Sequence, residues 1–533
     1  MKHSSSELSV GLIIRSTKIW QWQSLLINKL VEAKLIRVVE IRSQDEQHQV
    51  LPRAVSYLHK LDSIIFKSPM TAYGLVELDY PHARLVSGHS SSAEADSPLD
   101  LWINLSECSV GDELHKNASI GLLETHFSER DGSEKLSSTM FGFSEFSRGE
   151  KQCYFSIVAY GNDGNDDSLH VLIKSRPSLD KGPLSRNMNQ YWKLLESSWM
   201  RVLHRLQSKP LEQISYKNAH LKKSVNAPKS DLKPLKAYQN ITNIFLDKFS
   251  QKFLRKEQWV LLLQFHDSEA EREEIPLSFA NYLEISPPDD CFWADPFVIS
   301  DNGKHYLFFE ELPFATERGH LSCMEVFSDG SHTEPKIILK MPYHLSFPNV
   351  FSYESQYYMI PESGDTGSIS LFRSSKFPYG WEYQHSLMEG VHAYDSTLLE
   401  HAGQWWLFAC IAPEQGMSGN EELHIFYASS PLSQSWEPHQ LNPIISDASC
   451  ARPAGKFFEW KGDLYRPSQN CAGSYGAGLN INQIKTLNKQ SYVEELVHCS
   501  RPDWDPKLTA LHTLNFNQHV SVADAMRVDS RFF

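Results

Sequence analysis

Over the second half of the chain, short aromatic-rich apolar runs are separated by turn signals, and the same arrangement keeps returning. Phe292-Trp293-Ala294-Asp295-Pro296-Phe297-Val298-Ile299 leads through Asn302-Gly303 to Tyr306-Leu307-Phe308-Phe309-Glu310-Glu311. Two strands joined by a tight hairpin are predicted, because Asn-Gly suits a two-residue turn that needs positive φ. Pro348-Asn349-Val350-Phe351 leads to Tyr357-Tyr358-Met359-Ile360-Pro361-Glu362 in the same way, and Ala393-Tyr394-Asp395-Ser396-Thr397 leads through Ala402-Gly403 to Trp405-Trp406-Leu407-Phe408. A fourth copy runs from Arg452-Pro453 through Lys461-Gly462 to Leu464-Tyr465-Arg466, and a weaker fifth begins near His512. With Asp295, Pro348, Asp395, Arg452 and His512 as equivalent points, the spacings are 53, 47, 57 and 60 residues by subtraction. That period, with several short strands per unit, predicts a five-bladed β-propeller over residues 259–533.

Residues 1–207 carry a different pattern. Ser9 to Ile14 reads as a buried strand, Trp20 to Ala33 as an amphipathic helix and Leu35 to Ile41 as a second strand, a βαβ opening. Leu99 to Leu105 is another strand and Tyr191 to Leu206 a closing helix, so an α/β domain is expected. No GxGxxG or Walker sequence supports a nucleotide site there. Residues 208–258 form a basic linker, since Ser208 to Glu257 holds eleven Lys or Arg against four Asp or Glu, with prolines at 210, 228 and 234. Within it, Asn240 to Lys256 is expected as a short helix with Ile241, Ile244, Phe245, Phe249 and Phe253 on one side. Such a segment packs between domains or makes at most peripheral contact with an anionic bilayer.

A length of 533 residues agrees with more than one domain. A net charge of −14 argues against a general nucleic-acid binder. The polar start of the chain lacks the order of a signal peptide and no apolar run reaches membrane-span length, so a cytoplasmic location is the expectation. The eight cysteines are scattered without a CxxC pair, and neither zinc nor disulfides nor any other metal or cofactor is expected.

The aspartate at the start of the first repeat stands among apolar residues directly before a proline, an unusual place for a purely structural carboxylate. Phe292-Trp293-Ala294-Asp295-Pro296-Phe297, His344-Leu345-Ser346-Phe347-Pro348, Tyr358-Met359-Ile360-Pro361-Glu362-Ser363 and Leu464-Tyr465-Arg466 through Gln469-Asn470-Cys471 to Tyr475-Gly476 resemble the N-terminal propeller of plant glucosamine inositolphosphorylceramide transferases. In those proteins the transfer chemistry is assigned to a separate C-terminal domain. More distantly, the Asp-Pro opening of a blade is similar to the arabinanase and fructosidase clan of glycoside hydrolases. There a first-blade Asp is base or nucleophile, a second Asp orients, and a Glu is the acid.

That resemblance implies catalytic roles for Asp295 and Asp395. The acid is open, because the clan's Glu would stand where this chain has Ala451-Arg452-Pro453; Glu362 is the favoured substitute, with Glu310 and Glu311 as others. Trp293, Glu311, Pro348, Tyr394, Arg452, Arg466, Gln469, Tyr475 and His512 are the candidate substrate-binding residues. Trp293 and Tyr394 are expected to wall the channel, and Arg452 and Arg466 to face an anionic sugar, phosphate or sulfate. Ala412 to Leu423 is the candidate rim or lid. The N-terminal domain is similar to the formyltransferase-like domain that precedes certain bacterial propellers, but it lacks the Pro-Ser-Leu-Leu-Pro stretch. His126 and Asp131 are read as remnants of an inactive site. Three functions follow: glycosyl hydrolysis or transfer on a glycan or glycolipid, binding of a glycan or sugar nucleotide in support of a separate glycosyltransferase, or formyl or acyl transfer by the N-terminal domain.

Overall fold

The turn at Asn302-Gly303 has φ of 50° and 75°, the doubly positive geometry whose twist matches that of the strands it joins. Glu354-Ser355 (48° and 60°), Ala402-Gly403 (52° and 73°) and Lys461-Gly462 (51° and 85°) repeat it at the first hairpin of three further sheets. Each hairpin continues into an antiparallel meander: Cys291–Asp301, Lys304–Pro313, His320–Val326 and Lys336–Leu339 in the first blade, then the sheets opening at Ser346–Tyr353 and Phe458–Trp460, also four-stranded, and at His392–His401, where Ile445–Ser446 adds a fifth strand. The fifth blade combines both ends of the region. Leu508–Ala510, Leu514–Phe516 and Val520–Ser530 come from the C-terminal side, and Arg255–Phe265 pairs with Val520–Ser530 from Arg255 opposite Ser530 to Phe265 opposite Val520. The ring is closed by a long antiparallel ladder between residues far apart in sequence.

Apolar side chains on both faces of each sheet pack against the neighbouring sheets. Leu261, Trp293, Phe309 and Val522 lie between the closing and first blades, Phe297, Phe308, Phe347 and Phe372 between the first and second, and Leu371, Leu387 and Leu407 between the second and third. The expected five blades are therefore present.

The inner strands share an irregularity. Pairing shifts between Ala294 and Phe297, between Ser346 and Asn349, and between Tyr394 and Thr397, a β-bulge that aims one residue away from the ladder. Asp295, Phe347 and Asp395 occupy these bulges at φ of 53°, 42° and 50°, a conformation that costs a non-glycine residue about 1–3 kcal/mol and gathers at functional sites. Counting back from the first paired residue after each bulge makes Phe347, not Pro348, the equivalent of Asp295; Pro348 is equivalent to Pro296.

This computed structural model describes residues 7–44, 51–66, 72–87, 98–108, 110, 114–128, 135–161, 169–180, 183–216, 234–266 and 275–530. The chain divides into Met1–Ile244 and Phe245–Phe533, a boundary inside the helix Pro234–Phe253. That helix is longer than the sequence pattern suggested and stops before Arg255, which starts a strand. Ile241 is buried, while Phe245, Phe249 and Phe253 are about half exposed. No helix among the described residues is long and apolar enough to cross a membrane.

The first unit is a mixed sheet in the order Leu169–Ser175, Tyr154–Gly161, Ala118–Ser128, Leu99–Asn104, Leu8–Ile14, Ile36–Ser43, Arg84–Ser87. Its central strands are parallel and the edge formed by Tyr154–Gly161 and Leu169–Ser175 is antiparallel. Gln21–Glu32 and Leu184–Leu206 bury Leu26, Ile27, Leu195 and Trp199 in its main core. The α/β reading holds for this unit.

Candidate functional site

The bulges direct Asp295 and Asp395 to one end of the inner strands, Arg452 and His512 join them from just before the strands Phe458–Trp460 and Leu514–Phe516, and the second strands of the first, second and fourth blades add Glu310, Glu362 and Gln469. Strand alternation explains the choice between neighbours. Glu310, opposite Ala294, is 5% exposed within the cluster, whereas Glu311, opposite Trp293, turns the other way and accepts from Ser322 Oγ at 2.6 Å with His320 Nε2 at 3.5 Å.

Two hydrogen-bonded groups make up the site. Around Arg452, Nε donates to Asp395 Oδ2 (2.6 Å), Nη2 to Asp395 Oδ1 (3.3 Å) and Glu362 Oε2 (3.0 Å), and Nη1 to Asn420 Oδ1 (3.0 Å). Gln469 Nε2 adds a donor to Asp395 Oδ2 at 2.7 Å. The guanidinium carbon lies 5.2 Å from the ring centre of Tyr394 and 5.0 Å from that of Tyr475, close enough for cation–π attraction. Around Asp295, Oδ1 accepts from Thr513 Oγ1 (2.9 Å) and lies 3.2 Å from His512 Nε2, while Oδ2 accepts from the Phe347 amide (3.2 Å). Asp524, on the closing strand, binds the other side of His512 through Nδ1 at 2.7 Å and accepts from the amide of Asp295 at 2.8 Å.

The electrostatics separate the carboxyl groups. Burial would push Asp295 up, but the adjacent His512, the Thr513 hydroxyl and Arg452 hold it below the usual carboxylate range. Burial raises Glu310 well above that range, helped by the charges of Asp295, Asp524 and Asp395. Burial and Asp395 raise Glu362 in the same direction against the pull of Arg452. Asp295 and Asp395 thus both act on Glu310 and Glu362, as expected of groups in one cluster.

Asp295, His512 and Asp524 bring ligand atoms close enough together to hold a cation. The imidazole, however, presents one nitrogen to each carboxylate. That arrangement calls for two N–H donors, and an imidazolium has no lone pair left for a metal. Consistent with this, Asp524 and Asp295 outweigh burial and raise His512 to about 10.

Residues 277–507 match the family described as Glucosamine inositolphosphorylceramide transferase 1, N-terminal. The match falls on the propeller. A protein named Glucosamine inositolphosphorylceramide transferase 1 from Oryza sativa subsp. japonica is 38% identical over 206 residues, which is 38% of this chain and 27% of that protein. The protein of the same name from Arabidopsis thaliana is 36% identical over 221 residues, 41% of this chain and 28% of its own length. The chain therefore spans little more than a quarter of these curated relatives. Among solved structures, Zg3597, a family 117 glycoside hydrolase of Zobellia galactanivorans, is similar at 12% identity and a TM-score of 0.32, covering 51% of this chain and 90% of its own. An exo-1,5-alpha-L-arabinanase from a bovine ruminal metagenomic library is similar at 14% identity and a TM-score of 0.33, covering 45% and 94%.

Of the residues picked from sequence, Asp295, Asp395, Glu362, Tyr394, Arg452, Gln469, Tyr475 and His512 come together. Four do not belong to the two groups. Trp293 is 4% exposed and packs on Phe309 in the core between blades, so it does not wall the channel. Arg466 donates to Glu494 at 2.8 and 2.7 Å and to the carbonyls of Cys450 and Ala451, which leaves it no role as a ligand cation. Glu311 faces away as described, and Pro348 is the buried second residue of its bulge, after Phe347. The reading had no place for Asp524, although a lone Asp in Val520-Ser-Val-Ala-Asp-Ala-Met was its one available signal.

The loop 412–423 does reach the site. Asn420 accepts from Arg452, and a Cβ placed on Gly419 would stand 2.1 Å from the Tyr394 ring. Gly419→Ala is therefore expected to displace Tyr394 or the loop at about 1–3 kcal/mol, read as a lowered Tm; an unchanged Tm would mean that the loop does not rest on the ring.

His512 makes a second prediction. Its folded pKa lies above the unfolded value of about 6.5, so its contribution to stability is fully present below that pH and disappears as pH rises through about 10. The deficit of His512→Gln against the parent, from urea midpoints, should be largest near pH ~6 and shrink towards pH ~10. A deficit that stays constant would point to a neutral imidazole.

In the first unit, His126 Nε2 contacts Glu124 Oε1, Tyr160 Oη donates to the same oxygen at 3.1 Å, and Asn104 Nδ2 donates to Glu124 Oε2 at 2.9 Å. Asp131 lies outside the described residues.

Proposed function

We propose that the propeller hydrolyses or transfers a glycosyl group on a glycan or glycolipid. Asp295 is the base or nucleophile, Asp395 the orienting carboxylate, and one of the acids Glu310 and Glu362 the proton donor. One observation carries this reading: a single buried cluster places Asp295 3.2 Å from His512, which favours its charged form, while burial and the neighbouring carboxylates push Glu310 and Glu362 upward, a separation that glycosidic cleavage needs. The likeness of residues 277–507 to transferases named for a glycolipid supports a glycolipid substrate class. Arg452 binds Asp395, Glu362 and Asn420 at once, so the pocket favours a neutral sugar over the anionic ligand that a free arginine would select.

The placement of Arg452 also favours a second reading. It stands where the arabinanase-type pattern calls for a glutamic acid, which suits a glycan or sugar-nucleotide binding module that assists a separate glycosyltransferase. The deciding experiment incubates the purified chain with glycans, glycolipids and sugar nucleotides and scores binding and product, with Asp295→Asn and Asp395→Asn alongside. Product that disappears in the variants supports the enzyme, binding without product supports the module, and variants equal to the parent in both would place the function elsewhere.

For residues 1–207 we propose a formyltransferase-like docking or positioning domain without formyl transfer, because the His126 imidazole is directed at Glu124. Turnover of an amino-sugar nucleotide with a formyl-folate donor, abolished by His126→Ala, would overturn this.

A further inference from the structure

Glu310 stands apart from the other acids of the site. Both oxygens of Asp295 and of Asp395 accept hydrogen bonds and Glu362 accepts one from Arg452, but Glu310 Oε1 is buried with no hydrogen-bond partner among the described residues. It lies 3.3 Å from His344 Nε2, misaligned for a hydrogen bond. The tautomer of His344 follows from its other nitrogen, since Nδ1 accepts the Gly319 amide at 3.0 Å. A neutral His344 therefore carries its proton on Nε2, the atom nearest Glu310. Its side chain is 35% exposed against 6% for Glu310, so His344 stands between the buried acid and water. The arrangement requires Gly319, where a Cβ would lie 2.5 Å from Glu310 Oε1 and 2.6 Å from the Leu345 carbonyl.

We infer that Glu310 is the proton donor of this site, and that its substrate is an O-glycoside with an alcohol leaving group rather than a nucleoside diphosphate. This rests on the glycosyl-processing reading above. As the bond from the anomeric carbon to the glycosidic oxygen breaks, that oxygen keeps the electron pair, takes the Glu310 proton and leaves as a neutral alcohol. The anomeric carbon accepts the oxygen of water or of an acceptor hydroxyl, whose proton passes to Asp295 and then to solvent. Glu310 regains a proton from water. An alkoxide is too basic to leave unprotonated, whereas a nucleoside diphosphate leaves as a stable anion and has no use for the acid.

The groups that act on Glu310 come from several elements: Asp295 in the first bulge, His512 before the last inner strand, Asp524 on the closing strand and Asp395 in the third blade. The three carboxylates favour the neutral acid and His512 opposes it. Burial also keeps His344 below its ordinary value, so the ring beside Glu310 adds no positive charge that would favour the ionised acid.

The test uses the full chain with paired 4-nitrophenyl and methyl glycosides of a panel of sugars, beside sugar nucleotides. Glu310→Gln is expected to lose about 10²–10⁴-fold in kcat/KM on the methyl glycoside and only a few-fold on the nitrophenyl glycoside, whose leaving group needs no proton. Equal effects of Glu310→Gln on both substrates would remove it as donor while leaving the glycosyl reading intact. Turnover of sugar nucleotides alone would overturn the substrate class, and no turnover of anything by the parent would overturn the glycosyl reading and the donor role together. Independently of activity, a protonated-carboxyl infrared band at pH ~7 should appear in the difference spectrum of the parent minus Glu310→Gln, the contribution of Glu362 being common to both. A difference spectrum without that band would show Glu310 ionised and overturn the proposal.

Discussion

Asp295→Asn is expected to lower turnover by roughly three to four orders of magnitude and also to destabilise the propeller, so the two effects must be measured separately. The amide keeps the shape of the carboxylate and still offers an oxygen to the Phe347 amide. It removes the charge that a base or nucleophile needs. It also removes one of the two carboxylates on either side of His512, leaving the imidazolium with Asp524 alone. Breaking a buried ion pair costs about 3–5 kcal/mol, and retention of Asp524 places this variant at the lower end. On the proposed reading Asp295 thus serves the frame of the site as well as its chemistry. Turnover measured well below the melting range, with urea midpoints in parallel, separates the effects. Wild-type turnover by the folded variant would exclude Asp295 from the reaction.

Arg452→Ala should give the largest loss of stability, about 3–5 kcal/mol. Among the described residues its guanidinium is the one group donating to both Asp395 and Glu362, and Glu362 is 9% and Asp395 1% exposed. Without it, two acids face each other in a buried site with Gln469 left as a donor to Asp395. Asp395→Asn added to Arg452→Ala should recover part of the loss, because it removes the charge left unpaired; a double-mutant cycle measures that coupling. Arg452→Lys should recover less, since an ammonium cannot reproduce the forked contact. If Arg452 served a bound anion instead, removing it would weaken ligand binding and leave the urea midpoint unchanged.

What could be read from the chain alone was local. Turn residues at Asn302-Gly303, Ala402-Gly403 and Lys461-Gly462 and the aromatic runs beside them act within a few positions, and their period specified the blades and the equivalence of Asp295, Asp395, Arg452 and His512. The same local physics located the first strands and helices of the N-terminal domain. Which face a side chain occupies was another matter, because a one-residue shift in register exchanges the two faces of a strand. The bulges at Asp295, Phe347 and Asp395 set that register. They turned Glu310 inward and Glu311 outward, sent Trp293 into the core between blades, and made Phe347 rather than Pro348 the equivalent position. Long-range closure decided the rest. Asp524 reaches the amide of Asp295 across 229 residues of sequence, and Gly319 and His344 flank Glu310 only after the first and second blades have packed. Repetition along the sequence thus determined the architecture, while the ionisation of its acids depends on neighbours that only the closed ring brings together.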